Sequence, residues 1–278
     1  MRASLTSSPG GLAGCVVAGR LAEADPGLSI LVIEQGLNSY GAPEVVHPEL
    51  YPRNLFPNSK YTLFWQGNQS PQLADRKPIV PSGGTLGGGS AINWMVYTRG
   101  QRSDYDSWKT KGWAADDMLP FMKKVNTLGF VNIYLSTDSE QFENYHGLGD
   151  RDAHGDSGPV NISKGTHCCK QAEQSFIDSA NEMGYSELKD LQNLDANNAT
   201  ERWLKYIGPN GRRQDAAHRY VHNKIQSGDY PNLHVVCEKQ VIRVLYDDDK
   251  KAVGVEYQSN PKFRKNSIEI NDRPATDS

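Results

Sequence analysis

Two stretches hold residue types whose spacing suits chemistry: GGLAGCVVAGRLAEADPGLSILVIE (10–34) and PSGGTLGGGSAINWMVYTRG (81–100). In the first, Gly11 and Gly14 occupy the second and third positions of G-x-G-x-x-G, and Glu34 lies 20 residues beyond Gly14. Glycines at that spacing let a backbone approach a pyrophosphate and let a helix pack on a strand; an acid at the end of the next strand accepts from a ribose hydroxyl. The first position is Pro9, not glycine. A plain helix behind a glycine turn in an α/β protein therefore stands beside the nucleotide reading. In the second stretch five glycines fall between Gly83 and Gly89, followed by Asn93 and the apolar or aromatic Ile92, Trp94, Met95 and Tyr97. Gly87, Gly88 and Gly89 allow backbone N–H groups close to an anion or a flat ring. No Gly-Lys-Ser/Thr follows them, which excludes a P-loop; a structural hinge is the alternative.

Other reactive side chains give less. Neither Ser82 nor Ser90 sits in G-x-S-x-G, so a hydrolase nucleophile fails. Of the seven histidines, His218 and His222 are four apart on an expected helix, but no third ligand is evident, and no metal site is expected. His146 and His154 flank a turn. Cys15, Cys168, Cys169 and Cys237 have no metal spacing, and the adjacent Cys168-Cys169 pair is expected to be reduced thiols.

These groups need elements to position them. Cys15, Val16, Ala18, Leu21 and Ala22 recur at helical spacing, Pro26-Gly27 stop that helix, and Leu28–Ile33 read as a buried parallel strand. This is the second half of a βαβ unit. Residues 1–8 hold one sizeable aliphatic, Leu5, so the first strand is expected to be missing. Residues 37–80 read as extended surface loops, Ser90–Tyr97 as a short buried helix that Ser90 caps, and Asp116-Asp117 as the start of a helix carrying Met118, Met122 and Val125. A helix is expected around Ala172–Met183 and another over 211–225. LHVVCEKQVIRVLYD and KAVGVEY alternate about Asp247-Asp248-Asp249 as a hairpin.

With 278 residues, a net charge of −3 and 37% apolar residues, the chain can bury one large core or two modest ones. It shows no basic footprint for nucleic acid, no apolar run near the ~20 residues that span a bilayer, and no signal-peptide core. The expectation is an intracellular protein, cytoplasmic or peroxisomal, although Ala-Thr-Asp-Ser at the C-terminus is no peroxisomal address.

The run GGTLGGGSAINWMVYTRGQRSDYDSW resembles the first signature of the glucose–methanol–choline (GMC) oxidoreductases, flavoenzymes that oxidise alcohols. AGCVVAGRLAEADPGLSILVIEQG is similar to their FAD-binding unit and HGDSGPVNIS to their entry into the substrate domain. GRRQDAAHRYVH with PNLHVVCEKQVIRVLYDDDKKAVGVEY is similar to the helix and hairpin that return to the flavin domain. LYPRNLFPNSKYTLFW and ERWLKYIGPNGRR resemble the fungal alcohol (methanol) oxidase group. Residues 10–260 carry the likeness.

The resemblance implies an α/β fold: a Rossmann-like FAD-binding domain with a partial, α+β substrate domain, truncated. Residues 1–127 would be the FAD-binding part, 128–206 the substrate part, 207–260 the return and 261–278 a disordered tail. Gly11 and Gly14 would approach the pyrophosphate, Glu34 would hold the adenosine ribose, and Gly87 and Gly88 would pass the diphosphate and flavin. Asn93, Met95 and Val96 would sit against the isoalloxazine, the Val241 backbone would meet the adenine, and Trp94 would wall the substrate side. Ile92 stands where covalently linked members carry histidine, so FAD is expected non-covalent. Gly84 departs from the Arg, Lys or Asn usual in the family. The catalytic histidine and its partner are expected in a C-terminal half that the chain lacks, so no catalytic residue is assigned here. The implied partners are a small alcohol and O2 or another acceptor, with no nucleic acid or membrane and with a homo-oligomer left open. A non-catalytic remnant that binds no FAD is the alternative; an NAD-dependent dehydrogenase suits Gly11, Gly14 and Glu34 but not residues 81–100.

Overall fold

The computed structural model describes residues 5–128, 152–155, 157–165 and 169–261. The chain divides into two units, one of Met1–Tyr40, Leu55–Ile92 and Ala216–Ser278, the other of Gly41–Asn54 and Asn93–Asp215. By contacts, residues 41–54 and 93–127 lie with the second unit, and the chain returns to the first at 216.

The first unit is built on a parallel β-α-β unit. Strand β1 (Leu5–Pro9) pairs with β2 (Ser29–Ile33) from Leu5↔Ser29 to Pro9↔Ile33, and helix α1 (Leu12–Ala24) makes the crossover. Strand β7 (Leu233–Val236) pairs on the other side of β2, giving the order β1-β2-β7. The expectation of a missing first strand is thus corrected. A parallel ladder is made by backbone groups, and β1 lies at the edge of the described sheet, so it needs no continuous apolar run to pair. The central strand β2 does need one, and Ile30, Val32 and Ile33 are buried. The buried side of α1 is small throughout (Gly14, Cys15, Ala18, Gly19, Ala22), which lets the helix axis approach its neighbours. A Cβ on Gly19 would lie 2.4 Å from the Tyr220 carbonyl oxygen.

Residues 37–80 are more ordered than their composition suggests. Strand β3 (Thr62–Gln66) pairs antiparallel with β4 (Ile79–Gly83), Phe64 opposite Pro81. An isolated two-stranded ladder tolerates a proline, which would argue against a central strand. The expected hairpin is present as β8 (Lys239–Tyr246) and β9 (Ala252–Ser259), but β7 leaves it to join β2. Over 211–225 only the later part is helical, a π-helical turn (Ala217–His222) running into a short α-helix (Asn223–Ser227). Arg213 instead bridges to Ile207 in the second unit.

In the second unit, Pro43–Val46 forms the short helix α2, and Arg102–Asp106 forms α3. Helix α4 (Ala115–Val125) starts with Asp116 and Asp117 in its first turn as expected. Strands β5 (Asn126–Leu128) and β6 (Val160–Ile162) pair in parallel, and α5 (Lys170–Glu182) follows. Tyr97, Ile162 and Leu204 make a buried cluster with Tyr206 against it. Beside it, the Tyr97 hydroxyl lies 3.2 Å from His154 Nδ1, and His154 Nε2 lies 3.0 Å from an Asp190 carboxylate oxygen. The tail expected over 261–278 lies outside the described residues beyond position 261, as do His146 and Cys168.

Candidate functional site

The site grows from the junction of β1 and α1. Gly14, one turn into the helix, has no room for a side chain: a Cβ there would lie 1.7 Å from the Pro9 carbonyl oxygen. The Ser8 hydroxyl donates to the Gly14 carbonyl at 3.0 Å and fixes the same junction. Gly11 differs. It is the N-cap of α1, its φ of −70° suits any residue, and a Cβ would meet nothing within 4 Å. The helix start has no side-chain cap and no acid in its first turn. Its unpaired N–H groups and dipole end favour an anion in front of Gly11.

Glu34 follows β2 directly and is buried. Its Oε1 accepts from the Gly36 N–H at 2.8 Å, while its backbone bonds to Val236 and Lys239. Burial raises the carboxyl above its usual range, and the Gly36 and Gln35 N–H groups pull it partly back. Gly10, which the fingerprint leaves unspecified, faces this carboxylate, since a Cβ on it would lie 2.6 Å from Oε2. Gly10 and Gly36 are the residues that spacing alone misses; each is a glycine within two residues of a fingerprint position, and that is the signal available.

The glycines of 83–89 complete the arrangement. The Gly87 N–H donates to the Gly10 carbonyl at 2.8 Å, and a Cβ on Gly88 would lie 3.0 Å from Gly11 Cα. Gly87 and Gly88 take φ of 91° and 56°, which glycine adopts without strain. A Cβ on Gly36 would strike the Gly84 carbonyl oxygen at 1.9 Å. The two glycine turns recognised separately in the sequence therefore lie against each other, with Glu34 beside them. The expected helix over Ser90–Tyr97 is corrected to a single 3-10 turn, Gly88–Ala91. Ser90 closes that turn rather than capping a helix: its hydroxyl donates to the Gly87 carbonyl at 2.7 Å and accepts from the Ala216 N–H at 3.0 Å.

Asn93, Trp94, Met95 and Val96 belong to the second unit. The Asn93 carboxamide oxygen accepts from the Met95 N–H at 3.1 Å and from Arg213 Nη1 at 2.7 Å. Arg213 is buried, also donates to the Val45 carbonyl, and is held down to about 10 by desolvation. Met95 has φ 60° and is buried, its N–H donating to Asn93 and its carbonyl accepting from the Tyr206 N–H. Such a conformation breaks helical continuation and stores strain of order 1–3 kcal/mol. Trp94 is 60% exposed and tilts against Tyr51 at 5.2 Å. Val241 lies in β8 opposite Tyr257, with a register shift just after it.

The remaining candidates gather no chemistry. His218 stacks on Tyr40 and His222 tilts against it, and among the described residues no group of three metal-ligating side chains occurs. Burial pushes the Cys237 thiol up to about 12, so it is no nucleophile near neutral pH. No helix is long and apolar enough to cross a membrane among the described residues.

Comparison with known proteins decides the family. The GMC oxidoreductase family pattern matches residues 7–273. The chain belongs to the GMC oxidoreductases. It is 38% identical to the alcohol oxidase of Candida boidinii over 248 residues, which is 88% of this chain and 34% of that one. It is 36% identical to alcohol oxidase 1 of Komagataella phaffii over 253 residues, 91% of this chain and 35% of the relative. An FAD-dependent oxidoreductase from Chaetomium thermophilum superposes with a TM-score of 0.77 at 28% identity, covering 93% of this chain and 42% of that one. This GMC chain therefore spans about a third of the length of the curated relatives it matches.

Proposed function

We propose that this chain binds FAD non-covalently, as the cofactor-holding part of an enzyme that oxidises a small alcohol and passes the electrons to O2 or another acceptor. The observation that carries the reading is the contact of the two glycine turns beside Glu34, with Gly11 opening onto free space. Gly11 has neither a packing reason nor a conformational reason to be glycine, whereas a pyrophosphate in front of α1 supplies one. These residues fit the ADP portion of the cofactor. The α1 N-terminus would donate to phosphate oxygens, Gly87 and Gly88, whose N–H groups already donate to the Gly10 and Thr85 carbonyls, would let the diphosphate and flavin pass without a side chain in the way, Glu34 would accept from the ribose hydroxyls, and the Val241 backbone would meet the adenine. A Rossmann-like site requires this same β-α-β order with an acid closing the second strand.

Flavin, when bound, takes hydride from the alcohol carbon. Asn93, Met95 and Val96 keep the ring-side role that the resemblance gives them, and Ile92, an unreactive side chain, leaves the flavin unattached. Trp94 with Tyr51 walls the alcohol. In a chain that turns over, Trp94→Ala shifts relative kcat/KM between small and bulky alcohols; unchanged preference removes that role. The general base is assigned to no residue of this chain, because the resemblance places it in a part of the family's length that these residues do not match. No membrane or nucleic-acid partner enters the reading, and the likeness to fungal alcohol oxidases supports a place inside the cell, in cytoplasm or peroxisome.

A remnant unable to hold FAD loses its main support, since the strand it lacks is present and paired over five residues. The test is to purify the chain, record its visible spectrum, and precipitate it with acid. A flavin band that moves wholly to the supernatant is expected. Flavin retained in the pellet contradicts non-covalent binding, and no flavin uptake even in excess FAD favours the remnant.

A further inference from the structure

The second unit contains a half-open cavity of about 640 Å3, lined by none of the residues assigned above. It lies between α5, which contributes Ala172, Phe176 and Ile177, and the segment after it, which contributes Leu191, Ala199 and Trp203. Drug-sized ligands occupy clefts of about 300–1,000 Å3 whose walls are mostly apolar. Ile177 is buried in the wall, whereas Phe176 and Trp203 are 68% and 58% exposed. Two large aromatic surfaces left to water at one concavity are the contact area that a flat apolar body would cover.

The charges around the cavity are engaged with one another. The Arg202 guanidinium pairs with Glu173 at 3.3 Å and with Glu187 at 3.2 Å, and its Nη2 donates to Gln174 at 2.7 Å. Glu201 accepts from the Leu191 N–H and from Gln192 Nε2, both at 2.6 Å. Lys205 Nζ donates to the Lys164 carbonyl at 3.0 Å, and the Lys164 ammonium is itself engaged, with Glu173, Glu187 and Glu201 favouring its charge. A ligand ion of either sign would have to break one of these contacts or enter the cavity unpaired, and either is costly. A neutral ligand meets no such cost.

We propose that this cavity binds an uncharged compound with a fused aromatic ring system, its rings against Phe176, Ile177, Leu191 and Trp203. Neither FAD binding nor alcohol oxidation is required for this.

The test is calorimetric titration of the full chain with three probes of one shape: 2-naphthamide, the 2-naphthoate anion and the 2-naphthylmethylammonium cation. The amide is expected to bind once per chain and at least as tightly as either ion. Phe176→Ala and Trp203→Ala, at exposed positions that do not endanger the fold, should each weaken the amide roughly three- to tenfold, the size of one aromatic contact. Saturating FAD should leave the affinity unchanged, because the cavity shares no residue with the proposed flavin site. No saturable heat with the amide, tighter binding of either ion, or displacement of the amide by FAD overturns the proposal, and so does unchanged amide affinity in either variant. The comparison of the three probes needs no variant, so it decides even if a substitution disturbs folding.

Discussion

Placing a methyl group at Gly14 and at Gly11 should separate folding from binding. The Gly14→Ala Cβ would sit 1.7 Å from the Pro9 carbonyl oxygen and 2.7 Å from its carbonyl carbon. Backbone must withdraw by more than an ångström, and the Ser8–Gly14 hydrogen bond at 3.0 Å opens with it. Overpacking costs about 1–3 kcal/mol and the hydrogen bond about 1, set against about 1 gained from alanine's helix propensity. A net loss of about 1–3 kcal/mol lowers the melting temperature by roughly 2–12 °C in a domain of this size. Gly11→Ala meets nothing within 4 Å at a φ of −70°. Its stability should change by less than about 1 kcal/mol, the ordinary N-cap effect. Its methyl group nevertheless points where the pyrophosphate is proposed, and FAD affinity should fall about tenfold or more. Thermal melting without FAD reads the first effect and fluorescence titration with FAD the second. Gly14→Ala melting like the unaltered chain would refute the packing argument, and Gly11→Ala binding FAD normally would refute the role of that open face.

Three further outcomes follow. Glu34 has its carboxyl raised in the folded state, so the fold favours the protonated form and bears the cost of the charge above that range. Glu34→Gln should therefore raise the melting temperature of the FAD-free chain near neutral pH, with the gain fading as pH falls through the raised value towards the ordinary carboxylate range; paired melts across pH measure it, and a constant difference contradicts it. His154→Ala removes the contacts to Tyr97 and Asp190 in the second unit and should cost about 2–4 kcal/mol in denaturant unfolding, while a near-zero change would show the pair to be idle. Arg213→Met frees the Asn93 carboxamide and the Val45 carbonyl, and hydrogen exchange at the Met95 amide should quicken; unchanged exchange would show that the Arg213–Asn93 hydrogen bond does not hold the Asn93–Met95 turn.

Where one chain segment carried its own periodicity or turn chemistry, the sequence was readable. The helical period of α1, the apolar run of β2, Glu34 at its end and the β8–β9 hairpin all stand where local pattern puts them. What failed depended on distant partners. LTSSP becomes β1 because the β2 ladder accepts it, and IVPSG becomes β4 because β3 lies opposite. The apolar run after Ser90 suggested a helix, but Met95 at φ 60° and the Asn93–Arg213 contact turn the chain out of it. The contact of Gly88 with Gly11 is likewise a tertiary fact, since nothing in either glycine turn specifies the other. The cavity beside Lys164 has no motif at all, because its lining comes from α5 and from segments on both sides of it in the chain.

The most direct measurement is equilibrium titration of the flavin-free chain with FAD, run in parallel with NAD+. Saturable binding of one FAD per chain, with NAD+ showing none, is the expected result. Binding of NAD+ in place of FAD, or of neither by a chain that melts cooperatively, would contradict the assignment of Gly11, Glu34 and the 83–89 glycines to a flavin dinucleotide.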